Sequence, residues 1–271
     1  MSERHVRVPD LREKKRRGEK IVVLTAYDAT MARLLDRSGV DVLLVGDSVG
    51  PVVLGYEHTL PVTLDDMLHH TRAVARGTSR ALIVADMPFM SYQVSVEEAV
   101  RNAGRLLQAG AAAVKVEGGP AIAGAVRRMV EVGIPVMGHL GLQPQSVHQM
   151  GGYRRQAVQR EEIEALVEDA HGLERAGAFA IVLEAVGDDA ARRVTAAVSV
   201  PTIGIGAGPH CDGQVLVSHD MLGLFDGHVP SFVKQYARLS DEVTRAARAY
   251  ADDVRAGRFP EVARPIETPQ S

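Results

Sequence analysis

One recurring motif limits the fold of this chain more than any other feature: a helical stretch closes on a glycine, a short apolar run follows, and a polar group ends it. Three copies are plain, RSGVDVLLVGD (37–47), QAGAAAVKVE (108–117) and RAGAFAIVLE (175–184). Gly39, Gly110 and Gly177 stand where a helix end calls for a left-handed residue, and the near-continuous apolar runs behind them are the pattern of strands buried on both faces. Further strands are expected at 21–25, 81–85, 135–138, 201–205 and around 222–225, which makes eight.

Amphipathic helical spacing fills the intervals, at 30–37, 64–75, 96–108, 121–132, 161–175 and 188–197. Thr63 with Asp66, and Ser95 with Glu98, have the spacing of capping boxes. Eight strands alternating with helices predict an α/β chain folded as a single (β/α)8 TIM barrel, since barrels of about 250 residues commonly form one domain. An open doubly wound sheet is the alternative, but the run after the first strand is TAYDAT, without the GxGxxG of a dinucleotide turn. Residues 1–271 are accordingly expected to form one domain. Residues 1–20 would be a helical extension whose basic run Arg12 to Arg17 is a solvated helix end, 240–255 a surface helix, and 259–271, with three prolines, a flexible tail.

Composition narrows the partners. A formal charge of -3 and 4% aromatics, with no Trp, argue against nucleic acid and leave little for a stacking platform for bases or sugars. Cys211 is the only cysteine, so neither an internal disulfide nor a cysteine-based zinc site can form. No N-terminal signal-like run and no apolar stretch of about 18 residues is present, which leads to an expectation of no membrane and a cytoplasmic location.

In a parallel barrel all strands aim their C-terminal ends at one face, where active sites sit. The residues at those ends are Tyr27 and Asp28, Asp47 and Ser48, Asp86, Lys115 and Glu117, His139, Glu184, and the loop IGIGAG. Any single acid there could be a helix cap. Several together, behind apolar runs, need a cation or hydrogen-bond donors to offset burial, and oxygen ligands suit a hard ion such as magnesium. Lys115 and Glu117, two apart, share one face of their strand. Lys115 suits a substrate carboxylate or developing negative charge. Glu184, in AIVLEAV, would have a raised pKa if unpaired, as a general base needs; the alternative is a carboxylate held by an arginine. His139 could line the site or be a satisfied core histidine, and the glycines of GIGAGPHCDG could cradle phosphate or simply turn.

VGDS (45–48), TLPVT (59–63), ADMPFMSY (85–92), VKVEGG (114–119), GHLGLQPQSV (138–147), GGYRRQ (151–156), IGIGAG (203–208) and DGQVLVSHD (212–220) resemble, in order, the motifs of the ketopantoate hydroxymethyltransferase family. The resemblance implies a magnesium-dependent barrel, one Mg2+ per subunit. It would move a hydroxymethyl group from 5,10-methylenetetrahydrofolate to 3-methyl-2-oxobutanoate through a metal-stabilised enolate, toward pantothenate. It also implies a cytoplasmic homo-oligomer, a decamer. Carried over, Asp47 and Asp86 resemble metal ligands, with Glu117 joined through water; Asp47, Ser48, Asp86 and Lys115 match keto-acid contacts; Glu184 matches the proton acceptor. Ala185 departs from the pattern, a Cys being frequent there. Related phosphoenolpyruvate-mutase and isocitrate-lyase barrels commonly use a loop cysteine, which Cys211 does not match, and a non-catalytic binder would need no base.

Overall fold

Eight strands pair side by side in chain order and close on themselves, every pairing parallel: β1 (Ile21–Thr25), β2 (Val42–Val45), β3 (Leu82–Asp86), β4 (Ala113–Glu117), β5 (Val136–Gly141), β6 (Ala180–Glu184), β7 (Thr202–Ile205) and β8 (Gly213–Leu216). The (β/α)8 barrel is therefore the fold of the chain, and the open sheet is excluded. The coordinates are a computed structural model that describes residues 5–260, and these divide after Ser218 into two compact units, the barrel lying in the first. Residues 1–4 of the expected extension, and 261–271 of the expected tail, fall outside the described residues.

The helices are α1 (Val8–Arg17), α2 (Ala29–Arg37), α3 (Leu64–Gly77), α4 (Val96–Gln108), α5 (Ala123–Glu131), α6 (Val147–Met150), α7 (Arg160–Arg175), α8 (Asp188–Ala197), α9 (Ser218–Met221) and, in the second unit, α10 (Leu239–Arg255). Gly39, Gly110 and Gly177 all take positive φ just past α2, α4 and α7, which is the left-handed exit that the repeated motif encodes. The capping box at Thr63 and Asp66 forms in both directions, while Ser95 caps the Glu98 N–H without the return bond.

Alternation along the strands sorts their side chains. Ile21 and Val23, Val42 and Leu44, Leu82 and Val84, Ala113, Met137, Ala180 and Val182, Ile203, and Val215 join one buried cluster inside the barrel. Two residues further along the same faces come Thr25, Asp86, Lys115 and Glu117, His139, and Glu184. The lower half of the interior is thus apolar and the upper half polar, by the period of the strand alone.

Helix α1 belongs to the lower end. Leu11 is fully buried and, with Val6, packs into the same interior cluster. Lys14 Nζ meets Asp41 at 2.8 Å, just before β2. Lys15 Nζ meets Asp212 at 2.9 Å and the carbonyls of Thr195 and Val200, each at 3.0 Å. The basic run is therefore not merely solvated: two of its lysines anchor the helix to strand starts, and only Arg12, Arg16 and Arg17 are exposed.

The eighth strand lies ahead of the apolar run that predicts it. Residues 222–225, LGLF, form no strand; they turn back on α9, with Gly223 at a φ of 58° and Leu224 N–H on the His219 carbonyl. The eighth strand is the short GQVL ahead of it, whose pattern is broken by Gln214.

Candidate active site

The upper mouth of the barrel gathers the side chains that the strands deliver, and their contacts separate structure from chemistry. Asp28 is a cap: its carboxylate accepts from the Thr30 and Met31 N–H groups, both at 2.8 Å, at the start of α2. It therefore leaves the set of converging acids. Tyr27, buried beside it, shares a 2.8 Å hydrogen bond with the Ser48 hydroxyl. Gly46 makes room for this turn, since a Cβ there would lie 2.6 Å from Ser48 Oγ.

Asp47, Asp86, Lys115 and Glu117 are all buried, and they form a chain of contacts through Asp86 and Lys115. Asp86 accepts the Asp47 N–H on Oδ2 at 3.0 Å. Lys115 Nζ stands 3.2 Å from Asp86 Oδ1 and 3.8 Å from Glu117 Oε1. Three carboxylates against one ammonium leave a charge excess. Burial, then Asp86 and Glu117, hold the Asp47 carboxyl well above the usual range; burial likewise raises Asp86 despite Lys115. The Lys115 ammonium, which burial disfavours, is held charged by Asp86, Glu117 and Asp47.

His139 stands between two acids, with Nδ1 3.4 Å from Glu117 Oε1 and Nε2 3.2 Å from Glu184 Oε2. Burial and Lys115 press its pKa down, but Glu117 and Glu184 outweigh them and push it up to about 9. Its Nδ1 also lies 3.2 Å from Lys115 Nζ, so the ring links both glutamates and the lysine rather than sitting as a passive core residue. Glu117 is raised by burial but lowered more by His139, Lys115 and the Gln145 N–H, and stays ionised. Glu184 is not unpaired, as its apolar run had suggested, nor is its partner an arginine; it is His139. Its side chain is 18% exposed where Glu117 is 2% and Asp86 3%, so of these carboxylates it is the one that opens to the mouth.

Backbone fit around Glu184 is close. The Leu142 N–H donates to the Glu184 carbonyl at 2.8 Å, and Gly141, with a φ of 89°, passes so near that a Cβ would lie 2.3 Å from that oxygen. Ala185 follows with a φ of 47°, a left-handed conformation that costs an alanine about 1 kcal/mol.

Gln145 and Tyr92 join the site although neither ends a strand. The Gln145 side chain donates to Asp47 Oδ2 at 2.8 Å and to the Met87 carbonyl at 3.0 Å, while its backbone N–H holds Glu117 Oε2 at 3.0 Å. Tyr92 donates to Gln145 Oε1 at 2.8 Å and accepts the Glu117 N–H at 3.0 Å. Burial and Glu117 keep the phenol neutral. Both lie in motifs quoted above, and a buried polar residue in a loop after a strand was the available signal.

The glycine loop after β7 holds no open cradle: Gly208 lies against the Asp188 carboxylate, which also meets His210 Nε2 at 3.1 Å, so an anion there would face a negative charge. Cys211 is buried just ahead of β8, at the opposite end of the barrel from the mouth, and burial raises its thiol.

A family model described as ketopantoate hydroxymethyltransferase matches residues 5–262. The chain belongs to the ketopantoate hydroxymethyltransferase family. A relative from Syntrophus aciditrophicus is 60% identical over 252 residues, 93% of each chain. Another, from Moorella thermoacetica, is 58% identical over 257 residues, 94% of this chain and 96% of its own. Both are named 3-methyl-2-oxobutanoate hydroxymethyltransferase, and this family member is an enzyme acting on small molecules. Solved structures of phosphonopyruvate hydrolase with oxalate and Mg2+ (TM-score 0.61, 14% identical, 95% of this chain, 90% of that one) and of 2,3-dimethylmalate lyase (0.59, 19%, 97% and 92%) share its barrel. Among the described residues no helix is long and apolar enough to cross a membrane. Nor do three or more His, Cys, Asp or Glu residues form a ready-made metal cage among the described residues of this ketopantoate hydroxymethyltransferase family member.

Proposed function

We propose that the chain transfers a hydroxymethyl group from 5,10-methylenetetrahydrofolate to 3-methyl-2-oxobutanoate, giving 2-dehydropantoate on the way to pantothenate. The observation that carries this reading is the pairing of Glu184, open to the mouth and 3.2 Å from His139 Nε2, with the buried Asp47, Asp86 and Lys115 group. One region can remove a proton while the other holds the keto acid's polar end.

A divalent ion fits the second region. Gln145 occupies Asp47 Oδ2 and the Asp47 N–H occupies Asp86 Oδ2, which leaves Asp47 Oδ1 and Asp86 Oδ1, the latter facing the Lys115 ammonium at 3.2 Å. These two oxygens would hold an ion beside Lys115, and the crowding that raises Asp47 would be relieved by it. Two carboxylates are what magnesium commonly takes, the rest of its shell being water and substrate oxygens. Glu117, held by Lys115, His139 and Gln145, fits contact through a water. When bound, the ion supplies Lewis-acid polarisation of the keto acid, making its C3 proton more acidic.

Glu184 takes the C3 proton from 3-methyl-2-oxobutanoate, and His139 steadies the carboxylate that receives it. Lys115 meets the negative charge that gathers on the substrate oxygens, and Ser48, fixed by Tyr27, contacts the acid. The nucleophilic C3 forms a bond to the donor's methylene carbon. Both bonds from that carbon to the folate nitrogens break in turn, water replaces the second nitrogen as the hydroxyl, and the protons from C3 and from water leave on the two nitrogens of tetrahydrofolate. By the same resemblance we place the protein in the cytoplasm as a homodecamer.

The test is NMR of 3-methyl-2-oxobutanoate with the enzyme and magnesium in heavy water. The C3 proton signal should disappear without any folate present; a signal that persists with active wild-type enzyme rules out proton removal by this site.

A further inference from the structure

We propose that the loop carrying Tyr153, Arg154 and Arg155 binds the one-carbon donor, Tyr153 stacking on its planar bicyclic ring and Arg155 taking the carboxylate of its tail; this rests on the donor reading above. The loop is seated beside the base. Gln156 bridges Val186 in parallel, its N–H donating to the Ala185 carbonyl at 2.8 Å, and the Gly187 N–H returns to Gln156 at 3.0 Å. The segment therefore runs directly alongside the residues that follow Glu184. Two alanines flank this seam in the left-handed region, Ala157 at a φ of 52° and Ala185 at 47°, so the path is held against local preference, as at sites under functional constraint.

What the loop presents suits an aromatic anion. Gly151 and Gly152, at φ values of 70° and 106°, turn the chain so that Tyr153 stands 61% exposed, a large aromatic surface next to the mouth. Its phenol is raised by partial burial and then by Glu184, Asp47 and Glu117, which sets the ring within the field of the site's carboxylates. Arg155 Nε is anchored on the Val186 carbonyl at 3.2 Å and Arg154 on the Met150 carbonyl at 2.8 Å. Among the described residues neither guanidinium makes an ion pair, whereas Arg160 and Arg175 of α7 and Arg192 and Arg193 of α8 each meet an acid on their own helix. An anchored guanidinium with free terminal nitrogens matches a carboxylate in two-point fashion, and base-like rings stack on tyrosine without sequence-like selectivity.

Two-substrate kinetics and binding titrations test the assignment. Tyr153→Ala should raise KM for 5,10-methylenetetrahydrofolate about tenfold or more, a stacking-sized loss, with KM for the keto acid unmoved, and Tyr153→Phe should restore it. In titrations, Arg155→Gln should weaken tetrahydrofolate but leave the tail-less 6-methyltetrahydropterin as in wild type, whereas Tyr153→Ala should weaken both. Donor KM within twofold of wild type in both Tyr153→Ala and Arg155→Gln, or equal rises for donor and keto acid, would overturn the proposal. Folate-free proton exchange by wild type keeps the two failures apart: if it occurs and the donor constants do not move, the loop assignment alone falls; if it is absent, the functional reading falls and takes this one with it.

Discussion

The two ends of the barrel both bury charge, and they handle it in opposite ways. At the lower end charges are answered nearly one for one: Lys14 by Asp41, Lys15 by Asp212, and Asp36 by the N–H groups of Ser79, Arg80 and Ala81 and the Ser79 hydroxyl. At the upper end three acids crowd one lysine, whose ammonium is shared among Asp86, Glu117 and the His139 ring, and His139 is wedged between two glutamates. Satisfied charge ties helices to strand starts. Unsatisfied charge leaves the structure ready to gain from whatever binds, at some cost to the empty fold.

That contrast can be broken from either end. The largest effect is expected at the mouth, where Glu184→Gln should lower turnover by about a thousandfold, as for loss of a general base, while the melting temperature stays near wild type; normal turnover would move the base elsewhere. Next, Asp47→Asn should cut activity about a hundredfold at ordinary magnesium yet leave the chelator-treated protein as stable as wild type or more so. Burial and like charges already disfavour the ionised Asp47. A clear drop in stability there would mean that the upper charges are structural after all.

Smaller effects belong to the lower end. Asp36→Asn removes a carboxylate that accepts several buried N–H groups and should lower stability by about 1–3 kcal/mol, read from urea midpoints at neutral pH. Burial raises the Asp36 carboxyl, but the N–H groups of Ala81 and Ser79 outweigh it and leave it below its usual value. Its contribution is then present above the pKa of an unfolded aspartate, about 3.9, and is lost as pH falls through the lower folded value. The difference between wild type and variant should shrink in that acid range, and a constant difference would sever the link to ionisation. Smallest of all, Lys14→Met should cost about 1 kcal/mol, as for a partly exposed ion pair, with kcat and both KM values unchanged.

Legibility followed physical range. Strands such as VLLV and AIVLE declare themselves because both faces are apolar, and their period alone sets Asp86, Lys115, Glu117 and His139 inside. β8 was obscured because GQVL is four residues with a polar second position, whereas LGLF nearby looks more strand-like yet bends at Gly223. Asp28 could not be told from a site acid until its contacts with Thr30 and Met31 were seen. The pairing of His139 with Glu184, and the reach of Gln145 to Asp47 across 98 positions of sequence, depend on three-dimensional approach, which local pattern does not encode. The tie of Lys14 and Lys15 to the strand starts is hidden for the same reason.

The two-residue period on β4, with Ala113, Lys115 and Glu117 on one face, has a consequence for how such a protein can change. Inserting or deleting one residue in that strand would turn the lysine and the glutamate outward into the helix layer and expose apolar neighbours to the interior, so chemistry and foldability fail together. Variation in the reacting groups is therefore closed to small steps along the strands. New substrates can enter only through the connecting segments above them, and recombination that exchanges those loops while keeping strand lengths fixed is the route by which this scaffold can be given other partners.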